Sequence, residues 1–372
     1  MIFSGATQVV FINKRIIRAA RFAPRMAGAV ALVAGVSAAV AVPAGPALAQ
    51  ASAPHAPAYT STFDVSSLGS AGPGSLRAAI LAANATAAGG SNLISFTVHG
   101  TISLAGRLPT IARRVTIEAT SAPTHLSGGS PVVALDFNRH PGLIFGVGSG
   151  GSQLLGVAVD DASGNGVTLD AGSITLNDNY IGLNLAGAAA GNGGNGVLAW
   201  AESAGNFIGL NAALAAGVVA NVISGNGGSG IVLAGSSANT IVDNRIGTNA
   251  AGTSAIANRG DGIWITDRSR GNEIGGTAFI DSVTTLANNP TGNKGTVTPV
   301  FVVPPLGNLI SGNRGNGVLM DALSLHNVLN GNFIGTTASG DGALGNAGNG
   351  VWLDHAPGNS LVGCKFVNNP FV

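Results

Sequence analysis

Residues able to do acid–base or nucleophilic chemistry are sparse in this chain and do not gather along it. Only 9% of its 372 residues are charged, and the one adjacent acidic pair is Asp160-Asp161. A glycoside hydrolase needs two carboxylates at a set separation across the scissile bond. Here no Gly-His-Gly or Arg-x-Lys segment lies near the pair, and Asn244-Arg245-Ile246-Gly247 only echoes one. The pair reads better as turn residues. Elimination beside a bound cation would want a basic cluster, yet past the N-terminal region the only lysines are Lys294 and Lys365. No Gly-x-Ser-x-Gly elbow sits in a strand–helix context, and the six histidines are scattered, without metal-ligand spacing. His326 and His355 follow strands and read as solvated corner residues. The single cysteine, Cys364, cannot form an intramolecular disulfide and reads as a small buried apolar residue. The sequence therefore assigns no catalytic residue, no metal site and no cofactor.

The stronger chemical signal is aromatic. Trp200, Trp264 and Trp352 are the only tryptophans, and Asp321 and Asp354 fall at related spacings. Indole rings interleaved with carboxylates suit recognition of a sugar or a partner surface: the ring stacks, and the carboxylate accepts hydrogen bonds. Whether these five residues share a surface depends on the elements that carry them.

Those elements come from a repeat. A glycine precedes a short alternating apolar strand at Gly166, Gly196, Gly230, Gly262, Gly317 and Gly350, at intervals of 30, 34, 32, 55 and 33 residues. Only the fourth interval is anomalous, and it marks an insertion at about 277–306. A second strand opens at Ser173, Asn206, Asn239, Asn272, Asn327 and Asn359, and a third at Asn179, Asn221, Asn244, Asn308 and Asn332. Glycine, asparagine, aspartate and serine at the corners are what tight turns require. Three brief strands per unit give the cross-section of a parallel β-helix. Two coil types alternate. After Gly166, Gly230 and Gly317 the long loop follows the third strand; after Gly196 and Gly262 it lies between the second and third.

Period two within the first strand fixes its faces. Val167, Val197, Ile231, Ile263, Val318 and Val351 form one inward column, and Leu169, Ala199, Leu233, Ile265, Met320 and Leu353 a second. The outward positions are Thr168, Leu198, Val232, Trp264, Leu319 and Trp352, then Asp170, Trp200, Ala234, Thr266, Asp321 and Asp354. All three tryptophans thus fall on the outside of one sheet. An outer apolar stripe usually marks contact with something. The insertion, itself apolar (T-P-V-F-V-V-P-P-L from Thr298), either folds back over the stripe or leaves it open as a binding platform. The aligned asparagines predict buried side-chain ladders.

Upstream, residues 93–160 carry less regular strands, and the run from Ser75 to Asn84 is the one good helix. Ser75 caps it, and Leu76 and Ile80 share a face. An open solenoid end exposes unpaired backbone and apolar core, so this helix predicts a terminal cap.

Bulk composition agrees. Fifty-eight glycines with 5% aromatics depart from ordinary globular usage, while a 45% hydrophobic share excludes simple disorder. Residues 1–49 hold five basic side chains and no acidic one, followed by an apolar run from Met26 to Val42 and Ala47-Leu48-Ala49. This is the layout of a Sec-type signal peptide cleaved after Ala49. What remains has 12 basic against 16 acidic residues, a net charge of −4, with no electrostatic footprint for nucleic acid.

The stretch G-P-G-S-L-R-A-A-I-L-A-A-N (Gly72 to Asn84), followed by I-S-F from Ile94, G-T-I from Gly100 and L-P-T-I from Leu108, resembles the CSLREA-type opening of bacterial secreted and surface β-helix proteins. Later units, such as N-V-I-S-G-N-G-G-S-G-I from Asn221, are similar to the coils of such proteins. The resemblance runs from about Phe63 onward. It implies surface display, in some cases as an autotransporter passenger, and defines no catalytic residues. Gly74 stands where the family's cysteine would be and Ala78 where its glutamate would be, which leaves the cap to be held by other residues.

The sequence thus predicts an all-β fold: a right-handed parallel β-helix with three short strands per coil and an N-terminal capping helix. Its divisions are a signal peptide (1–49), a Pro/Ala linker (50–62), a cap (63–92, helix 75–84) and the β-helix (93–372, insertion about 277–306). The expected function is an exported, secreted or cell-surface, adhesin-like module, not an enzyme. It would bind a glycan or a host or cell-surface partner through Trp200, Trp264, Trp352, Asp321 and Asp354, with no membrane span after signal cleavage. The alternative is a secreted polysaccharide-active hydrolase or lyase on the same scaffold.

Overall fold

The computed structural model describes residues 59–370 apart from 126–128, 202, 210–220 and 277–306. The predicted leader and the insertion therefore lie outside the described residues. The chain coils into a right-handed parallel β-helix with three sheets. Sheet A has ten strands, from β1 (Ser61–Val65) to Ser360–Val362. Sheet B has nine, from Gly100–Ser103 to Lys365–Phe366, and sheet C seven, from Leu143–Phe145 to Val351–Leu353. Every strand pair is parallel and links one coil to the next, as a right-handed crossover requires.

The glycine-anchored strands form sheet C in the expected register: Val167, Val197, Ile231, Ile263, Val318 and Val351 pair successively. These residues and the column from Leu169 to Met320 are buried, and with phenylalanines of the early coils (Phe96, Phe137, Phe145) they form one continuous core. Leu353, expected in the second column, is 42% exposed because no further described coil covers it.

Three asparagine ladders tie the coils together. Asn179, Asn221, Asn244, Asn308 and Asn332 pass side-chain hydrogen bonds upward at 2.9–3.0 Å. Cys364 ends this ladder, its sulfur accepting from Asn332 Nδ2 at 3.7 Å. It is only half-buried, so the reading of an inert core residue gives way to that of a ladder terminus. A second ladder runs from Asn206 through Asn239, Asn272 and Asn327 to Asn359. Its lower neighbour is Ile174, whose backbone N–H donates to Asn206 Oδ1; Ser173, expected there, instead turns the corner at φ 58°. A third, not foreseen, links Asn192, Asn226, Asn258, Asn313, Asn346 and Asn369. Asn244 also donates to the Ile208 and Val242 carbonyls, and Asn239 to the Ser236 hydroxyl, so these buried amides are satisfied.

The first strand, β1, pairs with Asn92–Phe96 and begins at Ser61, so Ser61 and Thr62 belong to sheet A and not to the expected linker. Helix α1 (Leu76–Asn84) follows. Ser75 Oγ accepts from Ala78 N at 3.2 Å, and Leu76, Ala79, Ile80 and Ala83 face the core. The Gly74 carbonyl accepts from Ser66 N and Ser67 N, Arg77 donates to the carbonyls of Ser70, Arg107 and Gly106, and Asn84 clasps Thr110 O and Ala112 N. These contacts hold the cap where neither the cysteine nor the glutamate is present.

Candidate functional site

On the outer face of sheet C the pairing sets Thr168, Leu198, Val232, Trp264, Leu319 and Trp352 in one row. Trp200, Asp321 and Asp354 stand just past the ends of their strands, each donating its backbone N–H to the coil below. Tryptophans occur on alternate coils, ~10 Å apart along the stack. Trp200 and Trp352 are 48% and 49% exposed. Trp264 differs: it packs on Leu198, Val232 and Ala234, and its Nε1 donates to Asp321 Oδ2 at 3.1 Å. Asp321 is thus already engaged in fixing an indole, with its buried Oδ1 left without a partner. Asp354 accepts from His355 Nδ1 at 2.6 Å at an exposed corner. The structure brings Trp264 and Asp321 into contact; Trp200 and Trp352 lie ~19 Å apart, four coil steps along the stack.

Of two buried carboxylates, Asp160 reads in the sequence as a turn residue, and Asp178 is not singled out there. Asp160 ends a strand of sheet B, in register with Asp136. Its side chain is desolvated and lies beside two like charges, Asp136 and Asp161, which together push its pKa up to about 7. Only half of the expected turn pair is therefore a turn residue: Asp161 adopts φ 49°, whereas Asp160 is a buried strand residue. The signal was available in L-D of Val133–Asp136 and V-D of Val157–Asp160, once those strands are seen to be neighbours.

Asp178 turns the corner between sheets A and B, and burial pushes its pKa to about 7 as well. His125 lies against it, Nε2 to Oδ2 3.5 Å, and Ser130 Oγ lies 2.8 Å from Tyr180 Oη. The His–Asp distance is that of an ion pair, but burial lowers the histidine pKa as it raises that of the aspartate. Desolvation of both groups therefore works against the doubly charged pair. Asn177 beside it is buried, and among the described residues neither of its amide atoms is bonded. Such a set resembles proton-transfer machinery, but Asp178 and the His125 side chain are closed off from solvent.

The arrangement defines a class, the right-handed parallel β-helix scaffold, here with an aromatic outer face and a few buried acids. Residues 114–298, just under half of the chain, match the family model described as periplasmic copper-binding protein (NosD). Among solved structures, the chain is similar to the A-module of the mannuronan C-5 epimerase AlgE4 of Azotobacter vinelandii, at 13% identity and TM-score 0.37, covering 80% of this chain and 92% of that one. It is also similar to the periplasmic alginate epimerase AlgG, at 14% identity and TM-score 0.37, covering 75% of this chain and 61% of that one. No residue role passes from those proteins to this chain at such distances. No curated protein matches the sequence.

Copper is held by thiolate, thioether or imidazole ligands. Among the described residues no three of histidine, cysteine, aspartate and glutamate come together as a metal site. Met320 is locked in the core, and Cys364 is bound to Asn332. The described residues do not fit a copper centre. Nor is any described helix long and apolar enough to cross a membrane.

Proposed function

We propose that this chain is an exported, surface-displayed β-helix that engages a polysaccharide or cell-surface glycan through the outer face of sheet C. The observation that carries this reading is the pair of half-exposed indoles, Trp200 and Trp352, on the same flat face as the fixed Trp264. A rigid ring on a rigid ladder stacks on a sugar with little ordering cost. The basic and apolar leader, the periplasmic description of the matching family model and the CSLREA-type opening all support export. The test is binding of insoluble polysaccharides and a glycan panel by a Trp200→Ala/Trp352→Ala variant. Binding should weaken about tenfold per ring while the melting temperature holds. Unchanged binding would remove the proposal. Trp264 is unsuited to this test because it is packed on the sheet.

A second reading, chemistry on the polysaccharide, is favoured by one observation: Asp160 and Asp178 keep their protons close to neutrality, as general acids must. It requires His125 to move off Asp178. Release of reducing or unsaturated sugar ends by the purified chain, abolished in Asp178→Asn, is the expected result of that reading. No release from a broad polysaccharide panel disposes of it.

A further inference from the structure

The corner between sheets B and C carries a hollow that neither the tryptophans nor the buried acids occupy. Its sequence recurs as Asn-x-Gly-x-Gly ahead of the last five sheet C strands, and the second position is Gly193, Gly227, Arg259, Arg314 and Ala347 on successive coils. Side chains are excluded from the first two: a Cβ on Gly193 would collide with the Ser163 carbonyl, and one on Gly227 with the Gly193 carbonyl. Bare backbone there leaves a trough of about 590 Å³. That volume lies within the ~300–1,000 Å³ common for ligand sites.

Arginines bound the trough at both ends. Arg139 enters from the coil below, its Nε 2.9 Å from Asp161 Oδ1 and its side chain 83% exposed. Arg259 stands at the upper end, and among the described residues its guanidinium has no carboxylate partner. Four coil steps separate the two backbones, ~19 Å. Stacking explains the glycines but not the arginines, whose long side chains contribute nothing to the ladders. Between them the lining is Ser163, Asp161 and peptide backbone, with no aromatic ring. Such a lining offers two guanidinium forks for oxyanions and a floor of peptide groups for hydroxyls.

We propose that this trough binds an acidic oligosaccharide lengthwise, its carboxylate or sulfate groups on Arg139 and Arg259 and its hydroxyls on the glycine floor. The site is separate from the sheet C face and does not depend on it.

Calorimetric titration of the full chain tests this with three probes: an oligogalacturonate, its carboxyl-reduced neutral counterpart, and a carrageenan oligosaccharide, which carries sulfate and no carboxylate. At least one acidic probe should bind tenfold or more tighter than the neutral one and weaken as salt rises. Preference between the two acidic probes identifies carboxylate or sulfate as the group recognised. Arg259→Ala should cost about tenfold or more, and Arg259→Lys less, because a lysine keeps the charge but loses the fork. Arg259 is exposed, so its variants should keep the wild-type melting temperature, and Arg139→Ala provides a second check from the other end. The Trp200→Ala/Trp352→Ala variant should retain this binding, which separates failure here from failure of the sheet C reading. Equal affinity for the acidic and neutral probes, no binding of any probe, or unchanged affinity in Arg259→Ala and Arg139→Ala would each overturn the proposal.

Discussion

Asp178 behaves least like its residue type. In an unfolded chain it titrates near 3.8, whereas in the folded chain burial holds the proton until about pH 7. Among the described residues its surroundings are His125 and the unbonded amide of Asn177, and neither supplies a compensating positive charge near neutrality. Folding therefore takes up protons between about pH 4 and pH 7. The stability tied to this group is full below pH 4, falls as pH rises to about 7, and is level beyond. Asp160 follows the same course, raised by burial first and then by the like charges of Asp136 and Asp161. Asp178→Asn should flatten the fall and raise stability at pH 8 by roughly 1–3 kcal/mol relative to wild type. Urea unfolding at pH 5 and pH 8 measures this, and parallel pH dependence in the two proteins would mean that the aspartate ionises normally.

Among the elements, the ladders set the register and the strands fill it. Asn244 accepts from Asn221 and donates to Asn308 and two carbonyls, all in buried surroundings. Asn244→Ala strands the Asn221 amide below and takes a donor from Asn308 Oδ1 above, so about 2–4 kcal/mol should be lost, seen as a lower melting temperature. A partly buried fourth series, including Asn165, Asn195, Asp261 and Asn316, runs the other way: the upper residue donates to the lower. Asn349→Ala at its upper end should cost about 1 kcal/mol or less, since the backbone bond to Asn316 persists. A similar loss in both variants would show that burial does not govern ladder strength. The first two ladders were legible because their asparagines open recognisable strands. The third was equally present, four residues before each glycine anchor from Gly196 to Gly350, but its asparagines sit in corners where solvated turn residues look the same. Asp160 was missed for a different reason. Its partner, Asp136, is remote in sequence and becomes adjacent only through coil stacking. The tryptophan row was visible from period two alone, whereas the contact that fixes Trp264 needed Asp321 from the next coil.

For the whole molecule, each coil touches only its neighbours, so stability should vary along the axis instead of appearing as one cooperative value. Central strands such as Ile231–Ala234 have a coil on each side and buried columns throughout. In the uppermost described coil, Val351 to Phe366, Leu353 and Val362 are 42% and 53% exposed. At the lower end α1 seats Leu76 and Ile80 in the core beside the first strands of sheet A. Hydrogen exchange should therefore be slowest in strands between Leu154 and Ile246 and fastest in Val351–Phe366. Ile80→Ala removes buried methyl groups from the cap at a cost of about 2–4 kcal/mol. If coils couple only locally, that loss should speed exchange in Ser61–Phe96 by roughly 30- to 1,000-fold and leave Val318–Ile334 nearly unchanged. Equal acceleration at both places would show that the stack opens as one unit, with the ladders transmitting the loss along its whole length.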